Sequence, residues 1–262
     1  MNESGKQKVI IGGGIVAAIA VVCGFYFWPT SDTAPPLPPT PAAEPAVEAA
    51  PNYPVPAPKA DGAPALPALD ESDSLLTDLT GQLFGADAVQ SLLVNTDVIR
   101  HVVVTIDNLP RKKVAERLKP IKPIPGKFAV IGPEGAQTIA KENSARYSAA
   151  VRAINAMDTQ AVATAYFRVY PLLQQAYVDL GYPNGYFNNR LVEVIDHLLA
   201  TPTVQAPVQL TQPNVFYEFA DPQLEALSAG QKALIRIGPE NAATIKKKLR
   251  ELRAAVTAKG PQ

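Results

Sequence analysis

Twenty consecutive residues, Val9 to Trp28, carry no charge. A helix of that length, at 1.5 Å per residue, spans roughly 30 Å, the hydrocarbon thickness of a bilayer. Lys6 and Lys8 precede the run, and Asp32, Glu44 and Glu48 follow it. The positive-inside rule therefore predicts a cytoplasmic tail over 1–8, a transmembrane helix over 9–28, and a single pass that places everything after Trp28 outside the cytoplasm. Tyr26, Phe27 and Trp28 supply an aromatic edge for the outer interface. A cleaved signal peptide would have a shorter apolar stretch and a small-residue exit, whereas this run ends in bulky aromatics and Pro29. Ala20-Val21-Val22-Cys23 is a poor lipoprotein signal. Gly12-x-Gly14-x-x-Ala17 imitates a dinucleotide fingerprint, but a tryptophan and a proline-rich stretch follow it where a βαβ unit would be needed. Gly13 with Ala17, and Gly14 with Ala18, lie one turn apart, a spacing open to close helix pairing or to the ordinary small-residue content of membrane helices.

Thirteen of the 26 prolines fall between Pro29 and Pro67. Residues 29–68 hold little that is apolar enough to bury, so this stretch is expected to be a disordered Pro/Ala-rich linker. Its forty residues reach at most about 125 Å in the polyproline conformation.

From Leu69 the apolar residues recur at helical spacing, and a mainly α domain is expected over 69–257, with 258–262 as a tail. Asp70-Glu71-Ser72 starts one helix. Asn95 or Thr96 caps a second, with Val98, Ile99, Val102, Val103 and Ile106 as its stripe. Arg111 to Leu118 reads as a further helix. Phe128–Ile131 and Gln137–Ala140 flank Gly132-Pro133-Glu134-Gly135 and read as a small β-hairpin. The echo of Ile131–Ile139 in Ile237–Ile245 argues instead for a helical repeat. Asn143 or Ser144 opens a helix to about Asn155. Asp158 caps the longest one, through Leu180, with Pro171 predicted to kink it and Gly181 placed to end it. Phe187–Ala200 forms the next. Ser228 and Gln231 fit a capping box, and a last helix packs Ile245, Leu249, Leu252 and Val256.

Three stretches now resemble a known family: YPLLQQAYVDLGYPNGYFNNRLVEVIDHLLATP (170–202), ADPQLEALSAGQKALIRIGPENA (220–242) and VTIDNLP (104–110). They are similar to the bacterial domain-of-unknown-function family numbered three thousand and fourteen, over about 69–257. The resemblance implies Gram-negative envelope proteins with an N-terminal anchor, a proline-rich tether and no assigned activity. On that basis the anchor belongs in the inner membrane and the domain in the periplasm. The family pattern often has an acidic residue where this chain has Asn189, which weakens a metal reading.

The densest polar cluster follows the Tyr182–Phe187 loop. Tyr182, Asn184, Tyr186, Asn188, Arg190, Glu193 and His197 are the candidate binding residues. Glu193 and His197, four apart, share a helix face and suit an ion-pair network, an acid–base pair or half of a metal site. Zinc needs more ligands, and His101 has no motif linking it, so neither metal nor cofactor is expected. Tyr166, Phe167, Tyr170 and Tyr177 continue the aromatic run, as core or as the wall of a cleft for sugar or peptide. Arg111, Lys112, Lys113, Arg117, Lys119 and Lys122 form a basic stretch, either a solvated face or a contact for anionic headgroups or wall polymers. Lys246, Lys247, Lys248, Arg250 and Arg253 make a second. Overall, 24 basic residues balance 24 acidic ones, so no global field favours nucleic acid. The expectation is a non-catalytic binding or scaffold module with an envelope protein or cell-wall component as partner. The alternative is a periplasmic enzyme acting on wall glycan or peptide through the Tyr182–His197 region.

Overall fold

The computed structural model describes residues 50–56, 64–84, 93–114 and 116–258. The expected tail 1–8, the anchor 9–28 and most of the linker lie outside these residues. Among the described residues, no helix is long and apolar enough to cross a membrane.

The described chain is mainly helical, with two small antiparallel strand pairs. A 3-10 turn (Leu69–Glu71) leads into α1 (Asp73–Phe84). Then come α2 (Val98–Asn108), the hairpin β1 (Val130–Ile131) and β2 (Thr138–Ile139), and α3 (Lys141–Ala156). The helices α4 (Thr159–Asp179) and α5 (Phe187–Leu199) follow. A second pair, β3 (Leu210–Thr211) and β4 (Glu218–Phe219), precedes α6 (Pro222–Glu225), α7 (Ala229–Arg236) and α8 (Pro239–Thr257). α8 packs on α3, α4, α5 and α7, while α2 packs on α4, α5 and α1.

The apolar stripes explain this layout. In α2, Val98, Ile99, Val102, Val103 and Ile106 are all buried, and in α5 so are Leu191, Val194, Ile195 and Leu198. The start of α2 departs from expectation. Its N-cap is Asp97, in a left-handed conformation, and neither Asn95 nor Thr96 does the capping. The carboxylate of Asp73 in α1 accepts both the Asp97 and the Val98 N–H, at 2.9 Å each, so a neighbouring helix satisfies these donors.

The helix expected over Arg111–Leu118 is replaced by a 3-10 turn at Glu116–Leu118. The Leu109 and Arg111 carbonyls, which would have to accept within such a helix, instead accept Gly230 and Ala229 N–H at the start of α7. The hairpin forms as expected, pairing Val130 with Ile139 and Ile131 with Thr138. The helical-repeat reading is thereby overturned; the two copies differ at two positions, Gly135 against Asn241 and Gln137 against Ala243. Gly135 adopts φ +83° in the hairpin turn. Its counterpart Asn241 lies in α8, where its side-chain amide donates to the Ser144 and Ile237 carbonyls at 2.9 Å each. Gly238 ends α7 at φ +89°, and a Cβ there would meet Ser144 Oγ at 2.1 Å.

The second strand pair was not legible, because two-residue strands in a polar, proline-bearing stretch have no readable alternation. It joins the first through a Thr138–Gln209 bridge. Val208, Leu210, Phe219 and Ile235 form a small second core there. α4 runs unbroken through Pro171, with Asp158 accepting from the Gln160 and Ala161 N–H groups as expected. The capping box of Ser228 and Gln231 is present.

Candidate functional site

The C-terminus of α4 builds the first wall of the site. Gly181, at φ +111°, donates its N–H to the Val178 carbonyl, and Tyr182 N–H reaches the Tyr177 carbonyl at 3.4 Å. These two bonds make a Schellman motif, whose usual apolar contact is here the stacking of Tyr182 on Tyr177, 4.5 Å between centroids and 16° between planes. The stack aims the Tyr182 hydroxyl at Asp107 Oδ2, 3.2 Å away.

Asp107, on α2, is 2% exposed. Arg190 of α5 donates Nε to its Oδ1 at 2.9 Å and an Nη to its backbone carbonyl at 2.9 Å. Arg111 donates to Oδ2 at 2.7 Å and to the Tyr182 hydroxyl at 3.2 Å. Arg190 also pairs with Glu193 at 2.8 Å. Burial disfavours the charged Arg190, but Glu193 and Asp107 more than offset it and its pKa rises. Burial, then Asp107, pushes the Tyr177 hydroxyl up to about 12, and the same two causes raise Tyr182. Both hydroxyls therefore stay protonated at neutral pH.

Gln174 fixes the loop between α4 and α5. Its amide nitrogen donates to the Gly185 carbonyl at 2.7 Å, and its oxygen accepts the Phe187 N–H at 2.8 Å and the Tyr170 hydroxyl at 2.9 Å. α5 has no side-chain cap of its own at Tyr186, so a residue of α4 starts it.

The third wall comes from the segment read as linker. Residues 50–56 lie against the domain, and Tyr53 packs on its core. Asn189 Oδ1 accepts the Tyr53 N–H at 3.0 Å, and Asn188 Nδ2 donates to the Tyr53 carbonyl at 2.9 Å. Asn188 is fully buried; it also donates to the Val256 carbonyl at 3.1 Å and accepts the Tyr166 hydroxyl at 2.8 Å. Between this strap and α5 lies a cleft of about 500 Å³, lined by Tyr53, Tyr177, Asn184, Tyr186, Asn189, Arg190 and Glu193 among others. That volume suits a small ligand or a few residues of peptide.

A family model described as Protein of unknown function (DUF3014) matches residues 98–253. The chain belongs to this family. The matched span runs from the first residue of α2 nearly to the end of α8, and so holds Asp107, Arg190 and the α5 face of the cleft. α1 and the strap lie outside it, and the span is shorter than the 69–257 implied by the resemblance. No curated protein and no solved structure matches the chain significantly.

Within this family domain the seven candidate binding residues divide. Asn184, Tyr186, Arg190 and Glu193 line the cleft, while Tyr182 and Asn188 stand behind its walls. His197 faces elsewhere: its Nε2 lies 2.8 Å from Ser228 Oγ, and its carbonyl accepts from Gln231. Glu193 and His197 therefore serve different partners. Among the described residues no group of three metal-ligating side chains converges. Tyr166, Tyr177 and Phe187 are core, so the aromatic run splits between packing and cleft.

The basic stretch also divides. Arg111 is committed to Asp107, and Lys112 donates to the Ala226 carbonyl. Lys119 is buried, whereas Lys113, Arg117 and Lys122 lie on the surface. On α8, Lys248 is buried on the Met157 carbonyl and Glu251, and Arg253 forks onto Asp196 at 2.5 and 2.8 Å. Sequence reasoning missed Asp107 and Tyr53. Asp107 had a visible signal, a lone carboxylate next to a solid apolar stripe; Tyr53 had none.

His197 gives the site a pH dependence. Burial, then the nearby Arg190, lower its pKa below the ordinary 6.5, with Glu193 opposing. The neutral ring can then accept the Ser228 hydroxyl proton. Because the unfolded chain binds the proton more readily, this contribution is full above pH 6.5 and is lost as pH falls through the lowered folded value. Replacing His197 with Gln should flatten the fall in urea midpoint between pH 7 and pH 5. A variant whose pH profile parallels the parent's would show that His197 does not carry it.

Proposed function

We propose that this is a non-catalytic binding module, held at the inner membrane by residues 9–28 with its domain in the periplasm, whose cleft over α5 takes an envelope protein or a wall component. The observation that carries the reading is the pairing inside the cleft. Arg190 is saturated by Asp107 and Glu193, Asp196 by Arg253, and His197 is turned to Ser228. Such a surface offers shape, amide groups and a tyrosine rim rather than a poised acid or base. An enzyme working through Glu193 and His197 would need the two to converge. The uncharged N-terminal run and its flanking charges support the anchor and, by the positive-inside rule, the compartment.

The test is site-specific photocrosslinking in cells from Asn184 on the cleft rim, with Val215, 76% exposed on the β3–β4 loop, as control. Discrete adducts from Asn184 and none from Val215 are expected, and they should persist when Glu193 and His197 are both changed to Ala. Equal labelling from the two positions, or adducts lost in a folded double variant, would overturn the reading.

A further inference from the structure

The strap sits on α5 in the manner of a bound peptide. Tyr53 presents its N–H and its carbonyl together, and consecutive asparagines take one each. The strap bends at Asn52 and Tyr53, and bonds to a backbone N–H and carbonyl recognise that main-chain shape whatever the side chains, leaving selectivity to the pockets on either side. Here one flank is the core contact made by the Tyr53 ring, and the other is the open remainder of the cleft. The asparagine behind the wall is preset: Asn188 is held by Tyr166 and by the Val256 carbonyl as well as by Tyr53. A receptor group fixed before its ligand arrives binds at lower entropic cost. The cleft continues from Ala50 and Asn52 to Asn184, Gly185 and Tyr186, so the strap covers one end and leaves about 500 Å³ beside it.

We propose that the α5 groove is a binding site for a bent, tyrosine-bearing peptide segment of another protein, and that the chain's own Asn52-Tyr53-Pro54 occupies it in cis as a competitor. The inference rests on the binding-module reading and names the partner's chemistry. The partner segment bends at the residue gripped by Asn188 and Asn189, as the strap does at Asn52 and Tyr53, is aromatic there, and is polar beyond it, where Asn184, Arg190 and Glu193 line the way. The tethered strap acts at an effective concentration in the millimolar range, so a partner must outcompete it or arrive when it is pulled away. Apparent affinity falls in proportion to the fraction of open groove.

The test uses the full chain and a fluorescent peptide with the sequence of residues 48–58. An open variant carries Asn52→Gly, Tyr53→Gly and Pro54→Gly. It should bind the peptide at least tenfold more tightly than the parent chain. Adding Asn189→Ala should weaken that binding at least fivefold, and so should Tyr→Ala within the peptide. No binding to the open variant, or binding indifferent to Asn189, overturns the proposal. Should the open variant misfold, amide exchange at Tyr53 in the parent chain decides: saturating peptide should strip its protection, and unchanged protection overturns the proposal. Adducts from Asn184 without peptide binding would sink this inference alone. Peptide binding without adducts would sink the envelope-binding reading and leave the groove.

Discussion

Replacing Asp107 with Ala is expected to destabilise the domain by about 4 kcal/mol, in the range measured when one partner is removed from a buried ion pair. For a domain near 200 residues that lowers the Tm by about 10 °C. The cost comes less from lost attraction than from what is left behind. Arg190 loses its carboxylate partner on the Nε side and keeps a half-buried guanidinium tied only to Glu193 and to the backbone carbonyl of residue 107. The Tyr182 hydroxyl and Arg111 lose their shared oxygen as well. Two further variants separate these effects. Asp107→Asn keeps one acceptor and should fall between the parent and Asp107→Ala. Changing Asp107 to Ala and Arg190 to Met together should cost less than Asp107→Ala alone, because no unmatched charge remains. Urea denaturation reads all three. A loss under about 1 kcal/mol for Asp107→Ala would place the network among surface ion pairs, which contribute little.

Asn188→Leu is expected to cost about 3 kcal/mol. The leucine fits the volume but leaves three polar groups without their partner: the buried Tyr166 hydroxyl and the Val256 and Tyr53 carbonyls. A buried polar group stranded in this way costs about 1–3 kcal/mol. A double-mutant cycle identifies the cause. Tyr166→Phe should destabilise the parent by about 1 kcal/mol yet be close to neutral in the Asn188→Leu background, since the hydroxyl it removes is already orphaned there. Equal effects of Tyr166→Phe in both backgrounds would mean that the two residues are not coupled.

Both predictions concern residues that the sequence treated unequally, and the reason is physical. The helices of the family domain were legible because their apolar residues repeat at helical spacing and bracket the chain with recognisable ends, as Asp158, Gly181 and Ser228 do. The α5 polar cluster was legible for the same reason: Asn189, Arg190 and Glu193 at the start of a helix stand apart from its apolar stripe, although Asn188 beside them is buried. Its partners were not. Asp107 lies 83 residues from Arg190, and Tyr53 lies 136 from Asn189. Nothing local in either residue's surroundings records a contact that only the packed fold creates. The missing Arg111–Leu118 helix fails in the same way, because its carbonyls are captured by α7, more than a hundred residues later. Local propensity describes what a segment does when no distant group competes for its backbone.

The grip of Asn188 and Asn189 on Tyr53 also sets a length. Sixteen residue steps separate Tyr53 from Leu69, where the first helical turn begins. At about 3.1 Å per step the chain between them spans at most about 50 Å, which bounds how far a released Tyr53 could stand from the first turn without unwinding a helix. A pull from the N-terminal side therefore meets two asparagine hydrogen bonds and the Tyr53 core contact before it reaches the helices, and those contacts work as a brake on the strap.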